Sequence, residues 1–475
     1  MAIVAVAFAL RFIFIGKADI GNDECFSLYY AQKSLADIVC SLSDYDNPPL
    51  WELILHFWIA AVGIGIVALR SLSAIFSTLT VIPIYLTGER HIGRGSGVIA
   101  SLMYAFASFS LFLAHDGRVY SLIGMLSAWS LFLFLSIINS NKKRPVHWTL
   151  LTTCNILLFY GHYMTIWVPA CQLLTIFLIP KYRHYIKKYL LSLAVFIVAY
   201  LPMVVTLAGR IADSGFHGTW IAKTHSFDSL YHMMCSLTNA PVTASLLLIV
   251  VGIAAVMAII QIAKKTFQPT NATVLSLMWA IPLLVSFAVS FFLGMFLNRY
   301  FYFILPTYLL AIAAYIRRIA PKPLWFNTLC NVTAIILMTV TFNPDSTTMR
   351  HGGWKGDTRA VATKIKQLNS HSDCNILLAP AWIDKQIVYY FDDDHLAFAQ
   401  QGKLEQPVFY NYLTPKGFIY CDSLQIPTKP TVYVVQEPWY NIDEWLELLS
   451  QYGYKQTDLD HHQQIDILTF RLDTE

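Results

Sequence analysis

The chain has 475 residues, of which 56% are hydrophobic and only 13% charged, with a net charge of +4 and a mean hydropathy of +0.51. A soluble protein carries about 25% charged residues, so this composition excludes one. It also speaks against nucleic acid as a partner, because the basic residues fall in short clusters between apolar runs, where topology signals lie.

Residues 1–16 read as a short first transmembrane helix. They lack a basic leading region and a small-residue cleavage site, and they carry Arg11 in the middle. The helix is expected to be uncleaved, with its natural start trimmed. A polar loop over residues 17–49 follows and holds Asp19, Asp23, Glu24, Asp44 and Asp46. A carboxylate beside lipid is costly and tends to be kept for a use, so this loop is the expected chemical centre. Within it, Phe26 to Val39 spaces its apolar residues for a helix lying in the interface. Pro48-Pro49 then start the next helix, proline being tolerated in a first turn.

Apolar runs such as Pro241 to Ala263 contain no charge and exceed the ~20 residues needed to cross a bilayer. Membrane helices are predicted at about 50–66, 70–88, 96–114, 119–138, 148–162, 164–180, 189–208, 241–262, 272–296, 300–316 and 324–342. The result is a polytopic α-helical membrane protein with about 11–13 spans, since only helices and closed barrels satisfy their backbone in lipid. Basic clusters at Arg90/Arg94, Lys142 to Arg144, Lys181 to Lys188, Lys264-Lys265 and Arg317-Arg318 fall at every second connection and mark those as cytoplasmic. Arg118, His162 and Arg299 then lie at external helix ends, on the face of the acidic loop. To bring Arg90 to the cytoplasm, residues 50–88 must cross an odd number of times, so part of 50–66 is expected to lie shallow.

Residues 1–342 thus form a membrane domain, and residues 343–475 an outer α/β domain of soluble character. Short apolar runs predict strands at 375–379, 386–391 and 431–435, and helices at 360–368 and 443–451. Asp392-Asp393-Asp394-His395 reads as an acidic surface turn. The eight cysteines form no metal-binding pattern. Cys25 with Cys40, and Cys374 with Cys421, are candidate disulfides if they face an oxidising compartment.

With these residues laid out, the chain resembles the bacterial polyprenyl-phosphate-sugar-dependent glycosyltransferases of the GT-C fold, glycosyltransferase family 39. These are relatives of the protein O-mannosyltransferases and of the aminoarabinose transferase that modifies lipid A. The resemblance rests on an ordered series. It runs through Arg11, Asp23-Glu24, Asp46-Asn47-Pro48-Pro49-Leu50 and Ala68 to Ala74 with Arg70. Gly117-Arg118-Val119-Tyr120 and Asn298-Arg299-Tyr300, followed by Pro306, complete it. Asn47 departs from relatives that often have His before the double proline, and an amide carries no titratable proton.

The resemblance implies an integral membrane enzyme of the bacterial cytoplasmic membrane, active on the extracytoplasmic side. It would move a hexosyl or pentosyl group, with inversion, from a polyprenyl-phosphate donor to a lipid, glycan or protein acceptor. Such a reaction needs a base for the acceptor hydroxyl, and a placed carboxylate contributes about 10²–10⁴-fold. Asp23 is the candidate base. Glu24 is its partner, an alternative base, or with Asp46 a ligand for a divalent cation, which prefers oxygen. Asp46 and Asn47 are candidates for the acceptor. Arginine bonds phosphate oxygens in pairs, so Arg118 and Arg299 are candidates for the leaving phosphate, with Tyr120 and Tyr300 beside the sugar. The plainer reading of each pair is a snorkelling arginine with an interfacial tyrosine. Arg11 and Arg70 read either as partners of the loop acids or as substrate ligands, and His162 as a phosphate or acceptor contact or a structural hydrogen-bonder. The alternative function is a transporter or flippase of lipid-linked glycans, against which stands the lack of inverted-repeat symmetry.

Overall fold

A computed structural model describes residues 1–475 except 45–47, 141, 143, 218, 220, 222, 224–225, 321–322, 346–356, 372–373, 380–382, 392–409, 415–416, 422–428, 463–464 and 474–475. The chain divides into two units. The first holds residues 1–15, 39–54 and 70–352; the second holds 16–38, 55–69 and 353–475.

The first unit is all helical. Among the described residues six helices are long and apolar enough to cross a membrane, including Ile66–Ile92, Tyr120–Ile138, Pro241–Ala263 and Asn298–Ile319. A seventh forms if Ser96–Ala105 and Ser108–Ala114, bent by 59°, count as one span. Shorter apolar helices lie at Ala2–Phe12, Leu50–Val62, Tyr163–Leu178 and Leu324–Val340, so the full-length spans among the described residues are fewer than the 11–13 expected. An odd number of crossings was expected over 50–88, and the structure has one full-length helix there, Ile66–Ile92. Leu50–Val62 has 13 residues, too few to cross, and Gly63 at φ +89° turns the chain towards Ile66–Ile92.

The basic connections gather at one end of this unit. Arg317 Nη1 reaches the Arg94 carbonyl (3.4 Å) and Asn271 donates to the His91 carbonyl (2.7 Å). Asn139 meets Asn271 (3.0 Å), and Tyr185 donates to the Ser140 carbonyl (2.8 Å). Helix Tyr120–Ile138 runs from this end to the other, 19 residues or roughly 28 Å away at 1.5 Å per residue.

Arg11 is wholly buried, and its partners are not the loop acids. It donates to the carbonyls of Tyr104 (2.9 Å) and Ala105 (2.5 Å) and to the hydroxyls of Ser110 (2.5 Å) and Ser77 (3.2 Å). Those carbonyls end helix Ser96–Ala105, just before the bend, where a helix presents unsatisfied acceptors and partial negative charge. The guanidinium therefore acts as a cap inside the bundle. Arg11→Leu should lower stability by about 3 kcal/mol or more, since several buried acceptors lose their donor. Thermal unfolding of the detergent-solubilised protein reads this out, and an unchanged midpoint would remove the capping role.

The second unit carries a six-stranded sheet of order β3-β2-β1-β4-β6-β5. Its strands are β1 (Cys374–Ala379), β2 (Tyr410–Thr414), β3 (Gly417–Cys421), β4 (Thr431–Gln436), β5 (Tyr454–His461) and β6 (Asp466–Leu472). Only β1 and β4 pair in parallel. Side chains alternate between two cores, Ile376, Leu378, Val435 and Ile467 facing one way, and Leu377, Val434 and Leu468 the other. Helices pack on both faces, which explains why β1 and β4 read as nearly continuous apolar runs.

Three local expectations are corrected. Residues 386–391 form part of helix Asp384–Phe391, not a strand. Ile383 and Ile387 lie one turn apart and enter the same core, and a short apolar run has no period that separates the two choices. Phe26 to Val39 is not one helix but parts of two, Asn22–Ala31 and Leu35–Asp44, broken at residues 32–34. Cys25, Cys40 and Cys374 are not in disulfides, so neither expected pair is present. Cys374 opens β1, while Cys421 lies across β2 level with the other end of β1, a backbone separation of roughly 19 Å from strand spacing and rise.

Candidate active site

At the end of the first unit opposite the basic connections, a cluster of candidate residues forms around the start of helix Tyr120–Ile138. Gly124 makes it possible. A Cβ there would lie 2.6 Å from the Tyr302 ring, so only glycine lets segment Asn298–Ile304 close on this helix. Ser127 Oγ fixes the register by donating to the Phe303 carbonyl (2.8 Å). One turn back from these contacts, the Arg299 guanidinium lies over the Tyr120 ring, 5.8 Å from its centroid. The Tyr300 and His162 rings are 4.7 Å apart, and Tyr120 and His162 are 6.0 Å apart.

His162 sits in the break after helix Pro145–Gly161. Its Nδ1 accepts from the Met164 N–H (3.2 Å), which leaves Nε2 as the ring's donor. The ring lies in the field of both Arg299 and Arg118. Arg299 is only 9% exposed. Five of the residues singled out in the sequence, Arg118, Tyr120, His162, Arg299 and Tyr300, therefore form one cationic and aromatic cluster.

Arg118 has a partner that the sequence reading missed. Glu52, buried in helix Leu50–Val62, lies 3.6 Å from Arg118 Nη1. The adjacent Trp51 donates to the Gly117 carbonyl (2.9 Å), and Ser73 to the Arg118 carbonyl (3.2 Å), so the turn carrying Arg118 is held from two helices. The signal was present: an acid inside the apolar run Leu50-Trp-Glu-Leu-Ile-Leu is as costly as any in the loop. Arg70 is fully buried and donates to the Ile15 carbonyl (3.0 Å), fixing the chain where it leaves the first helix.

The acidic segment belongs to the second unit. Asp23 and Glu24 occupy the first turn of helix Asn22–Ala31, where carboxylates complement the helix's positive end. Glu24 is buried and accepts from the Gly21 N–H (2.8 Å), shaping the turn, while Asp23 is half-buried. The preceding residues are tied to helices of the same unit, Thr358–His371 and Asp384–Phe391. Asp19 pairs with Arg359 (3.6 Å) and accepts from its backbone N–H (2.8 Å), and the Ile20 N–H donates to the Tyr390 hydroxyl (2.8 Å). Burial pushes the Tyr390 phenol up to about 12, so it stays neutral and able to accept. Arg359→Ala should raise amide exchange across residues 19–24 several-fold while barely moving the melting midpoint, because a half-exposed ion pair contributes under about 1 kcal/mol. Hydrogen exchange read by mass spectrometry decides; unchanged protection would mean the acidic turn holds its shape alone.

Asp46 and Asn47 lie outside the described residues, as do Asp392 to His395. Among the described residues no group of three or more His, Cys, Asp or Glu side chains is placed to hold a metal ion. Glu24, the described member of the expected pair, already uses one oxygen on Gly21.

Residues 46–207 match the family model described as dolichyl-phosphate-mannose-protein mannosyltransferase. No curated protein matches the chain. Among solved structures, ArnT from Cupriavidus metallidurans bound to undecaprenyl phosphate superposes with a TM-score of 0.60 at 12% identity, over 98% of this chain and 97% of that one. The chain has the GT-C fold. A second GT-C structure, the archaeal oligosaccharyltransferase AglB from Archaeoglobus fulgidus with an inhibitory peptide and a dolichol-phosphate, gives a TM-score of 0.52 at 12% identity, over 77% of this chain and 57% of that one. The GT-C fold and the family match together support a membrane glycosyltransferase.

Proposed function

We propose that the protein transfers a sugar from a polyprenyl-phosphate donor to a hydroxyl of a lipid, glycan or protein acceptor, with inversion, on the extracytoplasmic side of a bacterial cytoplasmic membrane. The acceptor oxygen bonds to the anomeric carbon as the bond from that carbon to the phosphate oxygen breaks. The acceptor proton passes to the Asp23 carboxylate, and the polyprenyl phosphate leaves with one more negative charge. Arg299 and Arg118 hold that phosphate, with Glu52 orienting Arg118. His162 Nε2 donates to a phosphate or sugar oxygen, and Tyr120 and Tyr300 flank the sugar. Glu24 shapes the turn that carries Asp23, and Arg70 fixes the chain where it leaves the first helix.

The observation that carries this reading is the gathering of two arginines, a histidine donor and two tyrosines at the end opposite the basic connections. Basic connections face the cytoplasm in membrane proteins generally, which supports an extracytoplasmic site. The undecaprenyl phosphate bound to ArnT supports the donor class. Purified protein incubated with labelled polyprenyl-phosphate hexoses and pentoses, in membranes that supply acceptors, should move label from at least one donor. Label that stays on every donor would overturn the reading.

A further inference from the structure

At the basic end of the first unit, a cavity of about 510 Å³ opens between segment Gly88–Ile92 and helices Pro241–Ala263, Asn271–Val289 and Leu305–Ile319. It is remote from the cluster around Tyr120, and the proposed transfer does not use it. Its polar lining includes Arg317, Arg318, Gln261, Thr270, Asn271 and His91, and among the described residues no carboxylate lines it. Among the described residues neither guanidinium meets an acid. Arg317 donates to the Arg94 carbonyl, and Arg318 to the Gln261 side-chain oxygen. Among the described residues these two positive charges bond only neutral dipoles, and the nearby Glu89 carboxylate is taken by the Gly95 and Gly97 N–H groups. Charge left in that state at a membrane surface is stabilised by an anion, and a guanidinium fits phosphate oxygens in pairs.

We infer that this cavity binds a phosphate-bearing headgroup, and that the source is an anionic phospholipid of the surrounding leaflet. The volume falls in the ordinary range for a small-molecule site, about 300–1,000 Å³. The choice of lipid over free phosphate rests on the wall beside it. Gln261 faces the cavity from a helix whose neighbouring side chains Ile259, Ile260 and Ile262 are exposed, an apolar surface along which acyl chains would lie. Basic pockets between membrane helices at the cytoplasmic surface are a recurrent setting for such headgroups.

The test uses the full-length protein in detergent micelles, titrated with phosphatidylglycerol, phosphatidylcholine or inorganic phosphate and read by native mass spectrometry. Phosphatidylglycerol should bind at least about tenfold more tightly than phosphatidylcholine, the difference of a lost ion pair or more. R317Q/R318Q should abolish that preference. R317K/R318K, which keeps the charge and loses the fork, should retain part of it and serves if the glutamine variant does not fold. K264Q/K265Q removes charge from the same face outside the cavity and should change nothing. Inorganic phosphate competing as well as the lipid would support the phosphate site and overturn the lipid source. Equal binding of both lipids, or a preference that survives R317Q/R318Q, would overturn the site itself.

Discussion

Asp23→Asn is expected to lower sugar transfer by about 10²–10⁴-fold while leaving donor binding nearly unchanged. The amide has the shape of the acid and cannot take the acceptor's proton at neutral pH. Asp23 lies in the first turn of helix Asn22–Ala31, where loss of its charge costs about 0.3–1 kcal/mol, too little to unfold the protein. The neighbouring residue makes the control. Glu24→Gln keeps an oxygen for the Gly21 N–H and should retain most activity, so the two substitutions separate a proton acceptor from a shape-holding cap. Transfer and donor binding, each measured on the purified variants, decide the assignment. An Asp23→Asn enzyme within threefold of wild type would move the base elsewhere, with Glu52 the next acid to test. The flippase alternative makes a different forecast: a protein that only moves lipid-linked glycan across the membrane would transfer no label in any variant, wild type included.

The membrane helices were legible because a charge-free run of twenty residues has few physical solutions, and the basic clusters ordered them because they recur at alternate connections. The structure gathers those clusters at one end, as their spacing implied. Arg118 and Arg299 were legible for the complementary reason, as isolated charges at apolar helix ends. What the sequence withheld depends on partners far away in the chain. Glu52 looks like a stray acid until Arg118, 66 residues later, lies 3.6 Å away. Arg11 invites an acidic partner on charge grounds, yet it meets carbonyls at the end of a helix that the bend at 106–107 cuts short. Gly124 is one small residue among many until the Tyr302 ring fills the space above it. Helix Asp384–Phe391 was misread because five apolar residues in a row, Ile387 to Phe391, suit a buried strand or a buried helix face equally.

Arg299→Gln is expected to lower transfer by about 10²–10³-fold, the usual consequence of removing one preplaced donor from a developing charge. The loss should fall mainly on kcat. Phosphate in the donor carries one negative charge and gains a second only as the bond to the sugar breaks, so a group that answers the second charge acts late. A change confined to KM would instead mark Arg299 as a uniform binding contact. Arg299→Lys should recover part of the loss and no more, because an ammonium has neither the paired N–H fork nor the planar face that lies over Tyr120. Arg118 gives the second half of the test through Glu52. If the acid serves only to aim the arginine, Glu52→Gln added to Arg118→Gln should cost little beyond Arg118→Gln alone, whereas independent roles would make the two losses multiply. Arginine variants that transfer sugar at the wild-type rate would leave the cluster around Tyr120 a structural one, with the phosphate held by other groups.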